Sequence, residues 1–352
     1  MEALQDRLLS FLEPVLSRLG DWTAYPFLTN PGDPLYSLYL VGYVLIALGV
    51  WLAARRSGEA KDGFLAYLFP ANIYRSRSAL TDLKVYFVNR LLMRLLGVGA
   101  FLAGALWMGE ALSQTLAGLF GPAPVIESAT VILAISIAYG LCLFMAGDFG
   151  FFFVHYLFHK IPVLWEFHKV HHSAPTLNPL TNARFHPVEM VITSVIQAFM
   201  LGLVGGVFKF ILTDAVSEPA FFSISALNVS LFVFGFNMLE NVRHSHIWLD
   251  FGPRVSRHFV SPAQHQIHHS VELRHRDRNF GLVMAWWDRL FGTLYIPQGR
   301  EVFPMGLDNA EHEAYQSLRA NYWLPFEKAW RRIFAGKAPQ EVEHKAGDPD
   351  RI

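Results

Sequence analysis

The chain has 352 residues, 53% hydrophobic and 14% aromatic, with a mean hydropathy of +0.28; its 16% of charged residues compares with roughly 25% in soluble domains. Twenty-nine Lys and Arg balance twenty-nine Asp and Glu, so no basic surface for nucleic acid is implied. The one cysteine, Cys142, excludes a disulfide framework and a zinc-thiolate site.

Along the chain, Leu4, Leu8, Phe11, Leu12, Val15, Leu16 and Leu19 follow helical spacing. A helix over 3–19 would lie either in the membrane interface or against the spans. The start is acidic, so no cleavable signal peptide is expected. A membrane-spanning helix needs about 20 apolar residues. Residues 35–54 are uncharged and form the clearest span. Residues 95–112, with Glu110, and 130–154, with Asp148, are the next two. Residues 187–212 and 219–239 form a pair joined by an acidic link, either as two crossings or as a re-entrant hairpin. GVGAFLAG (97–104) lies inside a span and is read as helix packing, not as a dinucleotide fingerprint. Five such runs exceed what a soluble core uses.

Charge bias sets the orientation. Residues 55–94 hold eight Lys and Arg against three acids, while 113–128 and 213–218 hold no Lys or Arg. The positive-inside rule places 55–94 in the cytoplasm. Counting five crossings then puts the N-terminus outside, with 155–187 and 240–352 inside. The tail after about 336 is polar and expected to be loose.

The fifteen histidines begin at position 155, and eight fall in three boxes. His155 and His159 form HYLFH; His168, His171 and His172 form HKVHH; His265, His268 and His269 form HQIHH. Positions three and four apart share a helix face. The first box ends the third span, and Pro162 then redirects the chain. Ser261 is the expected N-cap of the third-box helix, with Pro262 first and Gln264 closing a capping box. Eight imidazoles oversupply one four-coordinate ion and suit two. Imidazole alone does not choose among Zn, Cu, Fe and Ni.

These motifs resemble the fatty acid hydroxylase/sterol desaturase superfamily of integral-membrane, histidine-box, di-iron enzymes. Asp148 lies seven residues before His155; RFHPVE (184–189) follows the second box; HSHI (244–247) precedes the third; NFGLVMAWWDRLFGT (279–293) is similar to the family's closing segment. The resemblance covers about 148–297, with a weaker likeness over 68–90.

It implies an all-α integral membrane protein of four to five spanning helices. A cytosolic helical cap would carry a histidine-rich dimetal site. Residues 1–34 would be an interfacial segment, 35–147 transmembrane helices, 148–297 the catalytic domain and 298–352 a cytosolic tail. The implied cofactors are two iron ions, with O2 as co-substrate, oxidising a C–H bond of a membrane lipid by hydroxylation or desaturation. The implied ligands are His155, His159, His168, His171, His172, His265, His268 and His269, with His244 as the ninth. Glu240 stands where some members carry a further histidine, and either ligates directly or orients His244. Asp148, on the face of His155, is expected to fix that ring's orientation. His186 is either a support behind the ligands or a cap of the next span, and His246 takes a position where many relatives have asparagine. Arg184 and Glu189 are expected to pair, and His258, His275, His312 and His344 to be surface residues. No electron-donor segment is evident, so a separate reductase with ferredoxin or cytochrome is implied. The expected location is a bacterial inner membrane or the endoplasmic reticulum, with the site on the cytoplasmic side. The competing classes are a histidine-rich membrane metal transporter and a membrane zinc hydrolase. The former would carry ligands along its spans, yet 187–243 holds no histidine; the latter leaves six box histidines unexplained, and no HExxH occurs.

Overall fold

The computed structural model describes residues 33, 35–96, 98–123, 125–212 and 237–334. The expected 3–19 helix, nearly all of the 219–239 run and the tail after 336 lie outside them. The described residues are helical with no β-strand, apart from two isolated bridges, Phe259–Met284 and Ser270–Met305.

Helix α1 (Ser37–Arg56) is followed by two short turns of helix, α2 (Phe64–Leu68) and α3 (Ala71–Tyr74). Next come α4 (Arg77–Leu96) and α5 (Val98–Phe120). Helix α6 (Ala129–Lys160) is capped by Ser128, whose side chain accepts from the Val131 N–H. Pro162 opens α7 (Pro162–His172), as its fixed φ favours at a first helical position. A 3-10 turn (Pro179–Ala183), boxed by Asn178, leads into α8 (Pro187–Leu212). From residue 240 on come α9 (Glu240–Arg243), α10 (Gly252–Val255), α11 (Pro262–His268), α12 (Trp286–Leu290) and α13 (Leu318–Phe334).

Among the described residues, α1, α6 and α8 are long and apolar enough to cross a membrane. Only 17%, 11% and 17% of their most apolar windows is buried, so most of that surface is left for lipid. The protein is a membrane protein. Helix α5, charged only at Glu110, runs along α8. Their backbones meet at small residues: a Cβ on Gly202 would lie 2.9 Å from the Ala105 carbonyl oxygen, and one on Gly206 2.8 Å from that of Gly109. This is the small-residue interface that packs helices in lipid, where no hydrophobic drive exists between them. Gly104, in the glycine stretch expected to pack, has nothing within 4 Å; the contact falls instead on Ala105 and Gly109. Glu110 is accounted for by an ion pair with Lys209 of α8 at 2.5 Å.

The polar elements pack on one another and against these helices as a helical cap. Arg184, fully buried, is its hub. It donates to Asp82 Oδ1 (2.9 Å) and Ser78 Oγ (3.1 Å) of α4, and to the carbonyls of Val170 (3.1 Å) and Tyr315 (3.1 Å). The other Asp82 oxygen accepts from Asn178 and Thr181. Arg184 therefore pairs with Asp82, not with Glu189 as expected. Burial pushes the Asp82 carboxyl up, against the lowering pull of Arg184. The expected domain edge at 147/148 falls inside α6. The expected tail from 298 is folded as far as 334, because α13 packs on α7 and Tyr315 is fully buried.

Candidate metal centre

The nine histidines singled out in the sequence converge. His155, His159, His168, His172 and His268 each offer a ring nitrogen within 4.8 Å of the others, and His171, His244, His265 and His269 do the same. The first group joins the end of α6 to α7 and α11; the second joins α7, the residue after α9, and α11. The third-box helix starts as its sequence requires, with Ser261 and Gln264 in a reciprocal capping box and Pro262 first.

Ring orientation follows from the outer partners. A backbone carbonyl only accepts, so a ring nitrogen facing one must carry the proton. His155 Nδ1 lies 2.9 Å from the Phe280 carbonyl and His268 Nδ1 2.8 Å from that of Arg278. His168 Nδ1 lies 2.7 Å from Glu189 Oε1, and His159 Nδ1 3.5 Å from Asp277 Oδ1. That leaves Nε2 as the lone-pair atom in each ring, and Nε2 of all five histidines in this group is buried without a hydrogen-bond partner. Unpartnered buried acceptors are costly; here they face one another, as ligands of a single ion do.

In the second group the Nε2 atoms approach each other directly. His244 to His265 is 3.0 Å, His244 to His171 3.3 Å and His265 to His269 3.3 Å. Nitrogens held about 2.1 Å from one ion stand roughly 3.0–3.4 Å apart, so this spacing fits an ion at the centre. His244 Nδ1 faces Glu240, 3.3 Å from its carbonyl oxygen and 3.5 Å from Oε2. Burial pushes the histidines outside the spans, namely His168, His171, His172, His265, His268 and His269, well below the usual imidazole range, and the neighbouring rings add to it. They are neutral at pH 7, the form that binds metal.

The remaining expected residues fall elsewhere. Asp148 does not touch His155: its carboxylate accepts from the N–H groups of Val283 (3.0 Å) and Met284 (3.0 Å) and from Trp287 Nε1 (2.9 Å). It acts on the segment that carries the Phe280 and Arg278 carbonyls. Glu240 belongs to neither ligand group; its Oε1 pairs with Arg243 at 2.5 Å and its Oε2 lies 3.5 Å from His244 Nδ1. Burial alone would raise its carboxyl, but Arg243 and His244 hold it below the usual range. His186 caps α8, accepting at Nδ1 from the Val188 N–H (3.1 Å) while Nε2 donates to the Tyr322 carbonyl (3.2 Å). His246 points away, 2.7 Å from the Tyr67 carbonyl. His275, expected at the surface, is fully buried between Ser270 and Glu301; His344 lies outside the described residues.

Sequence reasoning passed over the acceptors behind the rings. Glu189 was visible in RFHPVE, in the first turn of α8. The 277–281 strip was quoted only from Asn279 on, within the closing segment, and without a role behind the rings. Asp277 and Asn279 both take φ 58°, a left-handed value that Asp and Asn tolerate. Asp288 clamps the strip by accepting from the Phe280 (2.8 Å) and Gly281 (2.7 Å) N–H groups.

Two cavities open on the cluster. One, of 240 Å³, is lined by Phe151, Val154, Met190, Thr193 and Leu282 and reaches rings of both groups. The other, of 270 Å³, is lined by Arg276, Asp277, Asp308 and Arg332 and reaches His159, His172 and His268.

Residues 140–293 match the fatty acid hydroxylase family. The match covers somewhat less than half of the chain. Its bounds take in the first two boxes, the third and the 277–281 strip. The chain is 25% identical over 210 residues to an ornithine lipid hydroxylase of Rhizobium tropici, covering 60% of this chain and 56% of that protein. It is 29% identical over 193 residues to an alkylglycerol monooxygenase of Danio rerio (51% and 37%), and 27% identical over 166 residues to a Delta(7)-sterol 5(6)-desaturase of Aspergillus fumigatus (44% and 48%). The chain thus spans about half the length or less of these curated relatives. No solved structure is a significant match.

Proposed function

We propose that the protein oxidises a C–H bond of a membrane lipid with a histidine-held di-iron centre, O2 and electrons from a separate reductase with ferredoxin or cytochrome. The observation that carries this is the pair of imidazole groups facing one apolar cavity. The five-histidine group would hold one iron and the four-histidine group the other; bound iron supplies the dioxygen-dependent oxidation. The chain's own contribution is placement. Phe280, Arg278 and Glu189 fix the tautomers of His155, His268 and His168, and Glu240 turns His244 inward. Phe151, Val154, Met190 and Leu282 seat an alkyl chain and keep water from it. The names of the relatives support a lipid substrate. A transporter or a zinc hydrolase gains no support from them, and the ligand groups sit in the cap. The Lys and Arg of 55–94 share the cap's side through Asp82–Arg184, which favours the cytoplasmic face.

Metal analysis of the purified protein, together with lipid profiling of cells with and without it, tests the reading. Two irons per chain and a new hydroxylated or unsaturated lipid are expected. A single zinc, or an unchanged lipid profile with both irons bound, would overturn it.

A further inference from the structure

Helix α1 has the length and hydropathy of a span, but its contacts place both of its ends on the cap side. At its start, Asp33 pairs with Arg90 and accepts from Tyr86 Oη, both on α4. The level of Arg90 is known from its neighbour: Asn89 donates to the carbonyls of Ala183 (3.1 Å) and Phe185 (2.8 Å), just before α8 sets off across the bilayer. Half-way along, Tyr43 Oη meets Tyr74 Oη at 3.3 Å, and Ala47, fully buried, packs with Leu68, Val242 and Ile247. Val242 is two residues from His244. At the far end, Trp51 donates to the Asp62 carbonyl and Arg55 to that of Lys61. The α2 turn that follows is tied to the cap by His246 on the Tyr67 carbonyl. A 20-residue helix is about 30 Å long, one hydrocarbon thickness. It cannot touch the cap at its start, middle and end and also reach the opposite face.

We infer that α1 does not cross the membrane: it lies in the cap-side leaflet, and the N-terminus is on the same side as the histidine cluster. Its outward stripe is apolar, with Leu38, Val41, Leu45 and Leu52 exposed at helical spacing. The same surface continues onto Leu80 and Leu83 of α4 and onto Phe69, across a groove of 670 Å³ that Leu40, Val44, Phe69, Leu80 and Leu83 line together, with Arg75 and Arg77 also lining it. An apolar face bordered by arginines suits the acyl and headgroup layers of one leaflet. The acids before residue 34 do not oppose this, because Asp and Glu contribute little to orientation. One fewer crossing than the sequence suggests is the result, and the cap keeps its side.

The test uses the full chain in membrane vesicles with Cys142→Ser, which removes the one native cysteine. Single cysteines are placed by Glu2→Cys, Glu59→Cys and Glu127→Cys and probed with a membrane-impermeant maleimide in right-side-out and inverted vesicles. The expected result is that Glu2→Cys and Glu59→Cys label from one face and Glu127→Cys from the other. If Glu2→Cys labels together with Glu127→Cys, α1 crosses and the inference fails. Should Glu2→Cys label from neither face, a short bifunctional maleimide on Ala47→Cys/Val242→Cys decides: an intramolecular cross-link supports the seat against the cap, and none overturns it.

Discussion

A histidine whose Nδ1–H is held by a fixed carbonyl presents one lone pair in one direction, which is what a metal needs and what solvent cannot arrange. His268 is the sharpest case, because the Arg278 carbonyl fixes it and both cavities or their neighbours depend on its group. On the proposed di-iron reading, His268→Ala lowers bound iron from two towards one per chain and abolishes lipid turnover, while the protein still inserts; iron analysis beside membrane yield checks it. Glu189→Ala removes the acceptor behind His168, and loss of such a support weakens metal binding by about 10- to 100-fold. Competition with a graded chelator measures that. The boxes could be read from sequence because the ligands are local, spaced three and four apart. Among the acceptors Glu189 stood in a quoted motif, but Phe280 and Arg278 could not be read, because they act through backbone oxygens, which every residue has. Asp148 illustrates the point: its distance from His155 along α6 suggested contact, but three N–H donors over 283–287 claim its oxygens.

Between elements, the joints are backbone clamps and small residues. Asp148 and Asp288 hold the loop around α12, and Gly281 has no room for a side chain, since a Cβ there would lie 2.8 Å from Asp288 Oδ2. Asp148→Ala leaves three donors unpaired at about 1–3 kcal/mol each. Reduced iron content and a lower melting temperature in detergent are expected. At the α5–α8 joint, Gly206→Leu drives a side chain into the Gly109 carbonyl and the Leu112 Cβ; the two helices should separate, seen as loss of folded protein in detergent. Helix existence was legible from apolar runs and from caps such as Ser261 and Gln264. Position was not: hydropathy reports that α1 avoids water, not whether its neighbour is lipid across a bilayer or the cap beside it.

For the molecule as a whole, folding buries neutral imidazoles that would be protonated in an unfolded chain below about pH 6.5. Their folded values are lowered, and that of His186 falls to about 4. The unfolded state therefore binds more protons in the window below pH 6.5. Stability should be full above it and decline as the pH falls towards 4, which melting of metal-stripped protein between pH 8 and pH 4 will show. The two cavities carry a different consequence. The charged one meets only His159, His172 and His268, all from the five-histidine group, whereas no ring of the four-histidine group lines it. A water-soluble scavenger should empty the two positions in sequence, the five-ring position quickly and its neighbour late. The same asymmetry would let a half-loaded population accumulate whenever the metal is scarce.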